Sequence, residues 1–287
     1  MKFLKYLFLA TTLIIGALTG PACDSTSVTD LFFTDQDDIK LGDSVVTQLA
    51  NDTAYKLLTT ANSEAIKSYI KDSVISEILK SSEIHKKDIY NYTSKLQIIQ
   101  NDSVLNAFAL PGGPIYIYTG ILKYLPNEAA LAGVLGHEIA HAELRHASSR
   151  MVKEMGIHTL LSIVLGQSPG ELTNIAAGLF TGLALLQNSR SDEDDADLYS
   201  FKYLSGSKYY PGSVKFFFEK MIDEKLISSK SSRIETFLST HPDPEARISS
   251  TEKRVKDAGI DIISYKDETK FYLYTKEYND KIILKLP

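Results

Sequence analysis

Residues 134–146 read VLGHEIAHAELRH and hold three of the chain's six histidines. His137 and His141 are four positions apart. On a helix that spacing puts both side chains on one face, one turn from each other, so their imidazoles can converge on one point. Glu138 lies between them in sequence and flanks that point. In H-E-x-x-H of this kind the histidines bind a metal ion, normally zinc, and the glutamate acts on water beside it. The competing reading is a helix with two solvent-facing histidines. It fits poorly: LAGVLG precedes the motif, Ile139-Ala140 interrupt it, and unpartnered imidazoles on so apolar a helix would be costly.

A catalytic zinc needs a third protein ligand and an open position. His146 follows His137 on the same run, but a continuous helix would turn it about 180° away. A longer histidine pattern would also require Gly and His where Leu144 and Ala147 stand, so His146 is expected to be structural. The acidic stretch SRSDEDDADLYS (189–200) offers Glu193 and Asp197, again four apart on one face. One could bind the metal while the other accepts a hydrogen bond from a ligating imidazole. Asp192, Asp194 and Asp195 crowd the same stretch, and an acidic run is often only a solvated helix start. Spacing alone does not choose among them.

Working outward, 287 residues with 44% hydrophobic and 10% aromatic content can build a real core. The net charge is −5, and no Lys/Arg cluster forms a stripe that would track phosphates, so no nucleic-acid partner is expected. The N-terminus carries Lys2 and Lys5, an apolar run from Tyr6 to Leu18, then small residues up to Cys23. That layout predicts a signal peptide over 1–22, export to the periplasm or cell envelope, and a polar tether over 23–36. Cys23 is the single cysteine, so it has no internal disulfide partner. It is either a lone thiol near the cleavage point or the lipid-bearing first residue of a membrane-anchored lipoprotein, and the second reading is preferred.

Apolar spacing predicts helices over 37–58, 64–82, 128–146 (capped by Asn127), 190–205, 212–226 and 244–257. YTSKLQIIQND and Ile115–Tyr118 alternate as strands, the latter opening from a Pro-Gly-Gly-Pro turn. The apolar segments 156–166 and 172–187 are each too short for a membrane span and read as a buried helical hairpin. FYLYTKEYNDKIILKLP at the end reads as a β-hairpin turning at Asn279-Asp280.

Taken together, DDIKLGDSVVTQL, NAFALPGGPIYIYTGIL, GVLGHEIAHAELRHA, SRSDEDDADLYS and STHPDPEARI resemble, in order, the M48 family of zinc metallopeptidases, specifically its exported bacterial branch. The resemblance implies an α+β fold: a mainly helical zincin-like metallopeptidase domain, with a small β-sheet whose edge strand faces the active-site helix. It implies that His137, His141 and Glu193 ligate one Zn2+ per chain, that Glu138 is the general base, and that Asp197 supports a ligand. Residues 37–258 would form this domain and 259–287 a β-hairpin extension. The chain ends soon after the last matching segment, so the helical-repeat module of many exported members is not expected.

The implied reaction is peptide hydrolysis of exported, unfolded or misassembled envelope proteins. His241 is a candidate for stabilising the oxyanion or for regulating access to the metal; the plainer reading has His241 and Pro242 shaping a turn, with Asp243 as helix cap. Gly112 and Gly113 would let backbone approach closely, and Ile115 and Tyr116 would lie on an edge that pairs with an extended substrate. A Gly-Gly turn without a ligand is the alternative. A latent or chaperone-like protein of the same fold, and a structural lipoprotein with incidental histidines, are the rival functions.

Overall fold

The computed structural model describes residues 33–165, 188–228, 231–267 and 272–287. The expected signal segment, Cys23, most of the tether and the apolar segment 172–187 lie outside them.

Helix α1, Asp35–Leu49, starts at a capping box: the Thr34 side chain accepts from Asp37 N, and the Asp37 carboxylate answers Thr34 N at 2.9 Å. Phe33 is already buried, so the chain enters the core before the expected tether ends. The helix stops at Leu49 instead of running on to residue 58. Asp52 follows and caps a separate 3-10 turn, Thr53–Tyr55. Helix α2, Ser63–Tyr69, continues through a π-helical turn at Ile70–Ile75 and ends at Ser76–Ile78. The short α3 spans Lys87–Tyr90.

Strands β1 (Leu96–Ile99), β2 (Ala107–Ala109) and β3 (Ile115–Tyr118) form one sheet in the order β1-β3-β2. β3 runs parallel to β1 and antiparallel to β2, with Phe108 opposite Tyr116. Ile115 to Tyr118 are therefore central and buried, which corrects the expectation that they form a free edge. Among the described residues the free edge beside the histidine helix belongs to β2. Bonds from Tyr118 N to Asn106 O and from Leu110 N to Pro114 O bracket the Phe108–Tyr116 pair. In an antiparallel ladder the intervening residues, Ala107 and Ala109, then turn their main-chain groups outward. Gly112 and Gly113 form the turn at φ 73° and 102°. Side chains there would collide with backbone of Ile39 and Tyr90, so the close approach they permit is to the chain itself.

After α4, Thr119–Tyr124, comes α5, Glu128–Glu143. The Asn127 side chain accepts from Ala130 N, as the sequence suggests. All sixteen residues of α5 are buried, Glu128, His137, Glu138, His141 and Glu143 among them. Gly133 is needed where α5 meets Val214, because a Cβ there would lie 2.4 Å from the Val214 amide nitrogen. The helix ends at Glu143, earlier than expected, because Arg145 takes a left-handed conformation (φ 59°) that breaks it. Arg145 is held by Asp38 of α1, Nε to Oδ2 at 2.7 Å, which ties α1 to the end of the histidine helix.

Then follow α6 (His146–Met155), α7 (Ile157–Val164), α8 (Arg190–Ser205), α9 (Lys215–Asp223), α10 (Glu235–Thr240) and α11 (Pro244–Asp257). Helix α8 packs along α5, where Ser200 Oγ donates to Gly133 O at 3.0 Å. Asp243 precedes α11 in a left-handed conformation and makes no side-chain cap; it pairs with Arg190 instead, at 2.6 Å. The expected terminal hairpin is a helix, α12, Thr275–Lys281, with Asn279 and Asp280 inside it. Leu273, Tyr278 and Ile282 are buried in the main core, and Tyr278 OH donates to Leu122 O at 2.6 Å. The segment belongs to the domain rather than extending from it. Tyr274, Tyr278 and Ile282 are four apart, a helical spacing that outweighs the turn chemistry of Asn-Asp.

Candidate metal centre

Helices α5 and α8 and the loop after α10 bring His137, His141, Glu193 and His241 together, with one ligand atom of each within 4.8 Å of the others. All four are buried. His137 Nε2 lies 2.9 Å from His141 Nε2 and 3.4 Å from His241 Nδ1. Glu193 reaches His141 Nε2 at 3.3 Å, His137 Nε2 at 3.5 Å and His241 Nδ1 at 2.9 Å. Zinc bonds of about 2.0–2.1 Å in a tetrahedron set donors roughly 3.3 Å apart, so the donor set suits that ion in type and spacing. Three imidazole nitrogens and a carboxylate meeting in a buried place also need a shared cation to relieve the crowding of lone pairs.

The ring tautomers follow from the outer partners. His137 Nδ1 faces Asp197 Oδ1 at 2.9 Å, so it carries the proton and leaves Nε2 as the lone-pair donor to the cluster. His141 Nδ1 faces His146 Nδ1 at 2.7 Å. His146 is thus a support behind a ligand candidate, not part of the cluster. It reaches that place because the chain breaks at Arg145, so the angle expected of one continuous helix does not apply.

Arg247, within the quoted STHPDPEARI segment but not singled out from sequence, organises the acidic side. Its Nε and Nη2 bond Asp197 Oδ2 and Oδ1 at 2.8 and 2.6 Å, and Nη1 pairs with Glu193 Oε2 at 2.7 Å. Its guanidinium lies over the Phe218 ring, 4.3 Å from the centroid. Burial alone would raise the Asp197 carboxyl, but Arg247 and His137 outweigh it and hold it at about 2. Glu193 is likewise held well below the usual carboxylate range by His241 and Arg247 against the effect of burial. Burial, then the Arg247 guanidinium and the neighbouring His141, push His137 down to about 3, which keeps it neutral and able to coordinate. Asn188 adds a hydrogen bond from Nδ2 to Glu193 Oε1; sequence offered no signal for it.

Glu138 stands beside the cluster. Ala109 N of the β2 edge donates to its Oε2 at 3.1 Å, and His241 Nε2 lies 3.8 Å from its Oε1. Burial pushes its carboxyl up to about 7, in the range that suits a group taking and returning protons. Phe108, Ala109, His141, Arg150 and His241 line a cleft with it. The sequence-derived residues therefore divide. His137, His141, Glu193, Asp197, Glu138 and His241 are brought together, whereas Gly112, Gly113, Ile115 and Tyr116 lie in the turn and the central strand.

A sequence model described as peptidase family M48 matches residues 67–255. The chain belongs to that family, whose members are zinc metallopeptidases. It is 29% identical over 187 residues to the beta-barrel assembly-enhancing protease of Escherichia coli (strain K12), covering 61% of this chain and 37% of that protein. It is 31% identical over 150 residues to the mitochondrial metalloendopeptidase OMA1 of Arabidopsis thaliana, covering 52% of this chain and 29% of the relative. With the OMA1 of Schizosaccharomyces pombe the identity is 26% over 216 residues, covering 74% and 62% respectively. The chain thus spans well under half the length of the first two.

Proposed function

We propose that the chain is a zinc-dependent endopeptidase in which His137, His141 and Glu193 hold the ion and Glu138 is the general base. The observation that carries this reading is the convergence of those three donors beside a glutamate anchored to a strand edge. When bound, zinc supplies a Lewis acid that polarises the scissile carbonyl and makes water easier to deprotonate. Glu138 accepts the proton at Oε1, while the Ala109 amide keeps Oε2 in place, and then returns it to the departing amine. Asp197 holds the His137 ring through Nδ1, and Arg247 holds Asp197.

The substrate is an extended polypeptide lying along β2, whose outward groups at Ala107 and Ala109 lead into the cleft. Among the described residues Ala107 N is met only by its neighbour's side chain, Asn106 Oδ1 at 3.0 Å, which a pairing strand can replace. Unfolded or misassembled envelope proteins are the proposed targets. Main-chain pairing tolerates many side chains, and the name of the E. coli relative connects that protein with β-barrel assembly. Export through 1–22 and a lipid on Cys23 complete the proposal. No helix among the described residues is long and apolar enough to cross a membrane.

His241 favours a second reading of the same centre. Its Nδ1 lies close enough to the donors of His137, His141 and Glu193 to serve as a fourth ligand, which would take up the position a catalytic zinc keeps for water. This supports a resting, closed form of the enzyme more than a role in stabilising the oxyanion. Casein hydrolysis by the purified protein tests the main proposal. Cleavage that stops with a chelator, returns with zinc and is absent from Glu138→Gln supports it; cleavage unaffected by either change refutes it.

A further inference from the structure

Once Arg145 has turned the chain, α6 places His146 behind His141 and, one helical turn on, Arg150 at the cleft in front of Glu138. Nε and Nη1 of Arg150 are buried and have no hydrogen-bond partner among the described residues. Glu138, Glu193 and Asp192 attract the guanidinium through space, yet each is committed elsewhere. Glu138 is held by Ala109, Glu193 by Asn188, His241 and Arg247, and Asp192 by the capping box with Ser189. Burying charged N–H groups without acceptors is costly unless something else supplies them.

We infer that Arg150 forms a substrate subsite for an acidic side chain, an Asp or Glu of the peptide close to the bond that faces Glu138. The inference rests on the endopeptidase reading of this cleft. A carboxylate answers both features of the guanidinium, its unfilled donors and its half-buried charge, whereas a peptide carbonyl or amide answers only the first. A peptide pairing with Ala107 and Ala109 runs past Phe108 into the space that Arg150 and His141 share with Glu138. Asp and Glu differ in reach, so the subsite prefers one of them.

Cleavage sites in casein are first mapped by mass spectrometry, and peptide pairs are built around them with Glu or Gln beside the cleaved bond. The pairs are offered to the protein, Arg150→Gln and Arg150→Lys, with zinc content and thermal unfolding as controls of folding. Binding is read separately by fluorescence anisotropy in the Glu138→Gln background. The parent is expected to favour the Glu peptide about tenfold in kcat/KM and in Kd, as a charge-assisted contact would give. Arg150→Gln is expected to lose that preference, the Glu peptide falling much further than the Gln peptide, and Arg150→Lys to keep part of it. A preference that survives Arg150→Gln, or its absence from the parent, overturns the subsite. Equal loss on both peptides also overturns it and assigns Arg150 to the oxyanion or the fold. Should the parent cleave no casein yet bind Glu-containing casein peptides more tightly than their Gln counterparts through Arg150, the subsite stands and the endopeptidase reading fails.

Discussion

Arg247 grips Asp197 by both carboxylate oxygens, Nε to Oδ2 at 2.8 Å and Nη2 to Oδ1 at 2.6 Å. Asp197 Oδ1 also faces His137 Nδ1 at 2.9 Å. The orientation of a metal-facing imidazole is thus set from α11, by a residue that offers the ion no donor. Replacing Arg247 by Ala is expected to weaken zinc binding by about 10–100-fold, the usual effect of losing an outer partner. It should also lower stability by about 3–5 kcal/mol, because Asp197 and Glu193 lose a buried counter-charge. Arg247→Lys keeps the charge without the two-nitrogen grip and should fall between. Competition with a chromophoric chelator and urea unfolding measure the two effects; zinc affinity unchanged in Arg247→Ala would show that Asp197 needs no such support.

If His241 closes the centre, removing it frees a coordination position and leaves three ligands. His241→Ala should therefore retain zinc near one per chain and hydrolyse casein several-fold faster. Zinc analysis and a fluorogenic casein assay decide the matter. Loss of zinc would make His241 an essential ligand. Retained zinc with slower hydrolysis would return it to the oxyanion role.

The terminal segment packs as core. Tyr278 is fully buried and bonds Leu122 O, and Leu273 O accepts from Ala129 N at 3.2 Å near the start of the histidine helix. Tyr278→Ala is expected to cost about 3–5 kcal/mol, as for other buried aromatic truncations. Denaturant unfolding provides the check; a loss below about 1 kcal/mol would mean that the segment adds little to the domain.

Much of the centre was legible because its chemistry is local. His137, Glu138 and His141 lie within one helical turn, and Glu193 with Asp197 within another, so spacing places each pair on a face, while choosing Glu193 among its acidic neighbours took the family resemblance. What was not legible depends on long-range geometry. Arg247 reaches Asp197 from fifty positions away in sequence. Ile115 to Tyr118 alternate like any strand, and nothing in them tells a central strand from an edge; β2 is only three residues long and supplies the edge itself. Arg145 adopts a positive φ that no glycine announces, which is why His146 came to lie beside His141. At the terminus, Asn279-Asp280 resembles a turn, and burial of Tyr278 and Ile282 overrides it.

The most direct measurement is zinc stoichiometry by atomic emission on the purified protein and on Glu193→Gln, with Glu138→Gln as the control for folding. One zinc per chain is expected in the parent and in Glu138→Gln, and a dissociation constant weakened by at least a hundredfold in Glu193→Gln, since Gln offers only a neutral oxygen in place of the carboxylate. No zinc in the parent, or zinc held equally well without the Glu193 carboxylate, would contradict the metal centre built from α5 and α8.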